Sequence, residues 1–140
     1  MVAKQITVFI ENRKGRLGEV LDVLKKGGAN ILSLSLADTA EYGLLRVISD
    51  KPQQGKDALT KAGFSSMLSD VFIVKVPHTP GALQNILHVI AEEELNVEYM
   101  YGLSVGGEEA SIVVKTSDLQ IAESVFEKHG IQTLSDNDLH

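Results

Sequence analysis

The chain repeats itself. Displaced by 66 positions, its two halves match in pattern: Ile6, Val8 and Ile10 fall on Phe72, Val74 and Val76, and Gly15 falls on Gly81. Leu17 falls on Leu83, Val20, Leu21 and Leu24 fall on Ile86, Leu87 and Ile90, and Asn30-Ile31 falls on Asn96-Val97. Self-similarity at a fixed period means that one supersecondary unit is used twice. Farther along, the displacement reads as 68 at Asp50/Asp118 and 67 at Gly63/Gly130. On that reading the second copy has two more residues in one loop and one fewer in the next, and loops absorb length changes cheaply. At 140 residues the chain is one domain or two small modules, here placed at 1–69 and 70–140.

Each half has the same local signals. Residues 5–10 and 71–76 alternate as half-buried strands do, and Gly15 or Gly81 follows in a turn. Leu17, Val20, Leu21 and Leu24 then sit at the i, i+3, i+4, i+7 spacing of an amphipathic helix, as do Leu83, Ile86, Leu87 and Ile90. Gly27-Gly28 stops the first helix. Strand-like runs follow near 31–37 and 43–49, and again near 96–104 and 110–116. Asp50-Lys51-Pro52 and Ser117-Asp118 predict helix starts, with an acceptor side chain for the free N–H groups. Short helices near 53–62 and 119–129 end at Gly63 and Gly130, and short strands near 64–69 and 131–135 close the halves. Only Ser69-Asp70 separates the last strand of one half from the first strand of the next, which predicts halves packed as one unit. The order, strand–helix–strand–strand–helix–strand twice, is the ferredoxin-like βαββαβ arrangement. The fold class is therefore α+β, with antiparallel sheets carrying helices on one face.

Several chemistries are excluded. There is no cysteine, hence no disulfide, thiolate nucleophile or thiolate metal site, which fits a cytoplasmic location. A net charge of −6 opposes a nucleic-acid surface, and three Tyr and four Phe are few for an RNA-stacking sheet. No run of 18 apolar residues would span a membrane, and the first residues, MVAKQITVFIENRKG, carry no signal-peptide core. His88, His129 and His140 have no second ligand at metal spacing, so no metal and no cofactor are expected. Tyr99 and Tyr101 face one side of their strand, as pocket lining or as surface tyrosines, and Glu92-Glu93-Glu94 reads as a solvated helix end.

Chemistry concentrates at the two glycine turns. Glycine admits positive φ and close backbone approach, and the helix that starts there offers unpaired N–H groups suited to a carboxylate. Asn12 or His78 at the strand end provides a polar group. Plainer readings stand beside these: a strand–helix glycine as geometry alone, Asn30 and Asn96 as helix-exit turn residues, and Arg13, Lys14 and Arg16 as a solvated cluster of charge.

The strings Asn12-Arg13-Lys14-Gly15-Arg16-Leu17 and, more closely, His78-Thr79-Pro80-Gly81-Ala82-Leu83 resemble the Pro-Gly-x-Leu signature of ACT domains. Asn30-Ile31 and Asn96-Val97 resemble the pair that opens that family's second strand. The resemblance covers the whole chain as two ACT domains in tandem. It implies a regulatory module, without catalysis, that binds a free amino acid at an interface between two such domains. Carried over by position, the ligand-binding candidates are Asn12, Gly15, Arg16, Leu17, Asn30 and Ile31, then His78, Pro80, Gly81, Ala82, Leu83, Asn96 and Val97. Lys14 departs from the pattern where proline is usual. The implied partners are a second copy of the chain and a metabolic enzyme regulated in trans. Exposed sheet edges favour pairing on their own account. The alternative is a pure assembly module that pairs through those edges.

Overall fold

The computed structural model describes all residues except Asn12, 39–40, 104–109 and His140, and the side chain of Asp38. The chain divides into two compact units, Lys4–Ser69 and Asp70–His140, the latter joined by Met1–Ala3. They are the first and second modules below.

In the first module β1 (Ala3–Glu11) leads to α1 (Arg16–Lys26), β2 (Ile31–Asp38), β3 (Tyr42–Ser49), α2 (Pro52–Lys61) and the start of β4 (Ser66–Val76). Strand β3 pairs antiparallel with both β1 and β2, with Val8 opposite Leu45 and Ile6 opposite Val47. On the other side of β1, the Phe9 N–H donates to the Ser65 carbonyl at 3.0 Å. The alternation in β1 turns Ile6, Val8 and Ile10 to one face, where they meet Val20 and Leu24 of α1, Leu59 of α2 and Phe64. That is the period-2 stripe of a strand against the 3.6-residue stripe of helices. Gly55 of α2 lies so close to the sheet that an added Cβ would stand 2.9 Å from Ile6 Cδ1.

The second module repeats this with the rest of β4, then α3 (Ala82–Glu92), β5 (Val97–Leu103), β6 (Ala110–Thr116), α4 (Leu119–Lys128) and a two-residue β7 (Thr133–Leu134). Strand β4 pairs antiparallel with β6 and β7, and β6 with β5. Phe72, Val74, Ile86, Ile90, Val114 and Phe126 form the core. Phe72 and Phe126 meet edge to face with centroids 5.0 Å apart, a favoured aromatic geometry. The amino group of Met1 donates to Thr133 Oγ1 at 3.2 Å and lies 2.7 Å from Glu123.

Four expectations need correction. Ser69 and Asp70 do not end a strand; both lie inside β4, because their backbone continues the extended run on either side. The final strand of the second half is only Thr133–Leu134, because a 3₁₀ turn, Asp136–Asp138, takes over with Ser135 and Asp138 forming a capping box. The displacement never reaches 68. The helices Pro52–Lys61 and Leu119–Lys128 correspond at 67, as do Leu45/Ile112 and Gly63/Gly130, so the second copy has one extra residue before β6 and no compensating deletion. Asp118 caps α4 as expected, accepting the Ile121 N–H at 3.0 Å. Asp50 does not cap α2. The N-cap is Lys51, with Pro52 in the first turn, and Asp50 turns to Asn30 instead.

Candidate functional site

The two glycine turns have the same hydrogen bonds. In the first, Arg13 N–H donates to Glu11 O, Arg16 N–H to Arg13 O and Glu19 N–H to Gly15 O. In the second, Thr79 N–H donates to Pro77 O, Ala82 N–H to Thr79 O and Asn85 N–H to Gly81 O. Gly15 and Gly81 stand at φ +85° and +82°, left-handed values that other residues avoid. A Cβ on either would meet nothing within 4 Å, so the backbone faces open space. Neither α1 nor α3 has a side-chain cap, so N–H groups of each first turn lack the usual internal acceptor.

Around Gly81 this open space is a cavity of about 680 Å³. It brings His78, Pro80, Gly81, Ala82 and Leu83 together, with Gln84 and Leu87 of α3 and Ala110 of β6. The size suits a small metabolite. Leu83 and Leu87, one turn apart, are only half-buried. They form the apolar wall, and the exposed His78, Thr79 and Gln84 provide polar groups. Its spacing puts Leu87 in the core stripe of α3, and nothing local marks Gln84. Ala110 comes from a distant strand, which no local signal reveals.

Gly15, Arg16 and Leu17 lie together at the other turn, with Arg16 and Leu17 half-buried. Asn12 falls outside the described residues. Asn30 and Ile31 line a separate groove with Leu21, Lys25 and Gly28, at the far end of α1 from Gly15. Eleven helical residues lie between, roughly 16 Å at 1.5 Å per residue. Asn96 and Val97 are likewise one helix length from Gly81. Both asparagines use their backbone to close the base of the module. Asn30 N–H donates to Asp50 Oδ1 at 2.8 Å, and Asn96 N–H to Ser117 Oγ at 3.2 Å. Tyr99 and Tyr101 stack on one face of β5 at 14° and 6.5 Å. Among the described residues no cluster of His, Asp or Glu could hold a metal ion, and no helix is long and apolar enough to cross a membrane.

Comparison with known proteins agrees with this architecture. The family model described as an ACT domain pair matches residues 1–140. Among solved structures, the chain is similar to protein BT0572 from Bacteroides thetaiotaomicron, with 34% identity, a TM-score of 0.93, and 99% of this chain and 96% of that one covered. The regulatory subunit of aspartate kinase from Thermus thermophilus, in a ligand-free form, has a TM-score of 0.66 at 16% identity over 91% of this chain and 90% of its own. The corresponding subunit from Thermus flavus has a TM-score of 0.62 at 18% identity over 89% and 88%. These last two likenesses concern the fold. No curated protein matches the chain.

Proposed function

The chain belongs to the family of ACT domain pairs, and from that premise we propose that it is a regulatory protein binding a free amino acid at the Gly81 turn, with no catalysis of its own. The observation that carries this reading is the cavity of about 680 Å³ gathering His78, Pro80, Gly81, Ala82 and Leu83 at the uncapped start of α3. N–H groups of a helix start suit the ligand carboxylate. His78 and Gln84 offer polar groups, and Leu83 and Leu87 receive apolar parts. The two neighbours solved as regulatory subunits of aspartate kinase support a regulatory role.

Asn96 and Val97 stand too far from Gly81, within their own module, to touch the same amino acid. A ligand reaching both positions would be shared with a second copy, and for that reason we read the chain as a homodimer; its lack of cysteine fits the cytoplasm, and the regulatory role fits a metabolic enzyme controlled in trans. The competing reading is an assembly module. It is supported by Leu34 and Leu36, exposed on β2, a strand paired on one side by β3.

Melting the protein with each of the twenty amino acids separates the two. A binder responds to one or a few, and a ligand at 100 times its dissociation constant adds about 2.7 kcal/mol. No response to any of them overturns the amino-acid reading and favours assembly.

A further inference from the structure

Arg16 and Ala82 hold the same place in the two modules, the first helical position after the glycine turn. In the first module the arginine lies over the ring of Phe64, its guanidinium carbon 4.3 Å from the centroid, and it pairs with Glu19. Only 21% of the side chain is exposed, and its Nε is buried without a hydrogen-bond partner. In the second module Ala82 stands for Arg16, Asn85 for Glu19 and Ile131 for Phe64. There the corresponding space is a pocket of about 390 Å³, lined by these three with Lys75, Thr79, Ile86 and Gln132 among others.

We propose that this pocket is a ligand subsite of the second module alone, taking the neutral side chain of an amino acid, and that Arg16 closes its counterpart in the first module. The inference rests on the reading of the Gly81 turn given above. Pro77, Thr79 and Ala82 line both cavities, so a ligand at the turn has the pocket beside it. The lining determines the chemistry. The occupant of the first module is a cation held by a carboxylate and an aromatic face, both of which attract positive charge. The second module replaces them with the neutral amide of Asn85 and the aliphatic Ile131, no Asp or Glu lines the pocket, and the one charged side chain in the lining is Lys75, which repels a second cation. A cationic side chain would enter uncompensated, at a desolvation cost. Ala82, Ile86 and Ile131 suit an aliphatic chain, and Thr79, Asn85 and Gln132 suit a carboxamide or hydroxyl end. The buried, unpartnered Nε points the same way: Arg16 occupies its space without full hydrogen bonding, as a plug does.

The test uses calorimetry and melting with each of the twenty amino acids on the full chain, Asn85→Glu and Ile131→Trp. Neither substituted residue lines the cavity at Gly81. The native chain is expected to bind a neutral aliphatic or carboxamide amino acid once per chain and to ignore arginine and lysine; a preference for aspartate or glutamate would show that Lys75 sets the selectivity and would overturn the neutral subsite. Asn85→Glu is expected to weaken the neutral ligand roughly tenfold, about 1.4 kcal/mol, and to admit arginine. Ile131→Trp, which fills the pocket, weakens binding similarly. Should it fail to melt cooperatively, the exposed Asn85→Glu decides alone. Unchanged affinity and selectivity in the variants, or two equal sites per chain, overturns the subsite and leaves the Gly81 turn standing. A native chain responding to no amino acid overturns both, which is a different result.

Discussion

Asp50 brackets the backbone of Asn30: its Oδ1 accepts the Asn30 N–H at 2.8 Å, and its own N–H donates to the Asn30 carbonyl at 3.3 Å. Ser117 does the same for Asn96, at 3.2 Å and 3.0 Å. This pair ties the entry of β2 to the end of β3 in one module, and of β5 to β6 in the other. It is also what fixes the internal correspondence at 67 rather than 68. A hydrogen bond to a charged acceptor contributes about 1.5–3 kcal/mol, less where solvent competes. Asp50→Ala is therefore expected to cost about 1–2 kcal/mol in urea unfolding. Asp50→Ser, which copies the second module, should recover about half of that loss. Equal stability of Asp50→Ala and the native chain would show that the bracket contributes nothing.

Gly55 and Ala122 are equivalent positions on α2 and α4, and the substitution Gly55→Ala is not expected to be neutral. Alanine in a helix interior gains about 1 kcal/mol over glycine. Here its Cβ would stand 2.9 Å from Ile6 Cδ1, 3.1 Å from Leu24 Cδ2 and 3.2 Å from the Ala29 Cβ, all in the core. Overpacking of that kind costs about 1–3 kcal/mol. The core term wins, and a net loss of about 1 kcal/mol in chemical denaturation is expected. A stabilised variant would show that the three neighbours yield freely.

Glu94 offers the opposite case. It is the described non-glycine residue with positive φ, at +60°, and it matches Gly28, whose φ is +79°. Both follow a helix whose exit bonds are the same: Gly28 N–H to Lys25 O and Glu94 N–H to Ala91 O, each at 3.1 Å. A left-handed residue with a Cβ pays roughly 1–2 kcal/mol, partly returned by the lower chain entropy of glutamate when unfolded. Glu94→Gly should thus raise the urea midpoint by an amount equivalent to about 0.5–1 kcal/mol. A lowered midpoint would contradict the strain.

Much of this was legible in the chain. The stripes of α1 and α3, the strands that oppose them and the two left-handed glycines follow from local periodicity and from the steric freedom of glycine, and each is where the residues predict it. Tertiary relationships were not. Nothing local distinguishes an Asp50 that caps a helix from one that receives Asn30, twenty residues earlier. Ser69-Asp70 has the composition of a turn, yet the pairing of its neighbours holds it in β4. Arg13, Lys14 and Arg16 look alike as a basic cluster, but only Arg16 is carried by the first turn of α1 onto Phe64. The asparagines at 30 and 96 stand at the opposite ends of their helices from the glycines, as the helix stripes between them require; what no local signal shows is that Asp50 and Ser117 receive their N–H groups.

At Gly81 the backbone and the cavity make separable demands. An added Cβ would meet nothing within 4 Å, so a substitution there is opposed by φ +82° and not by a clash. Gly81→Val is expected to cost about 1–3 kcal/mol through backbone strain, and Gly81→Asn less, because asparagine visits this region more readily. Both leave a cooperative melt. Because the valine branch also projects over the approach to the turn, Gly81→Val should lose the amino-acid melting response while Gly15→Val keeps it. Retention of the response in Gly81→Val would exclude close contact between ligand and turn.

Whether Arg16 acts by its charge or by its bulk is decided by two substitutions. The ring of Phe64 and the carboxylate of Glu19 attract the guanidinium, worth about 0.5–2 kcal/mol for the ring. Against this stands the buried Nε without a partner, a cost of about 1–3 kcal/mol. The two nearly cancel, which leaves the packed stem as the net contribution. Arg16→Met keeps a stem of similar length and removes both electrostatic terms, so its stability should lie within about 0.5 kcal/mol of native. Arg16→Ala removes the stem as well and opens the space that Ala82 leaves in the other module. A loss of about 1–2 kcal/mol is expected, below the usual cost of a core truncation because this site lies near the surface. Guanidinium unfolding of the two variants measures the difference. If Arg16→Met is as damaging as Arg16→Ala, charge and not bulk holds the first module closed.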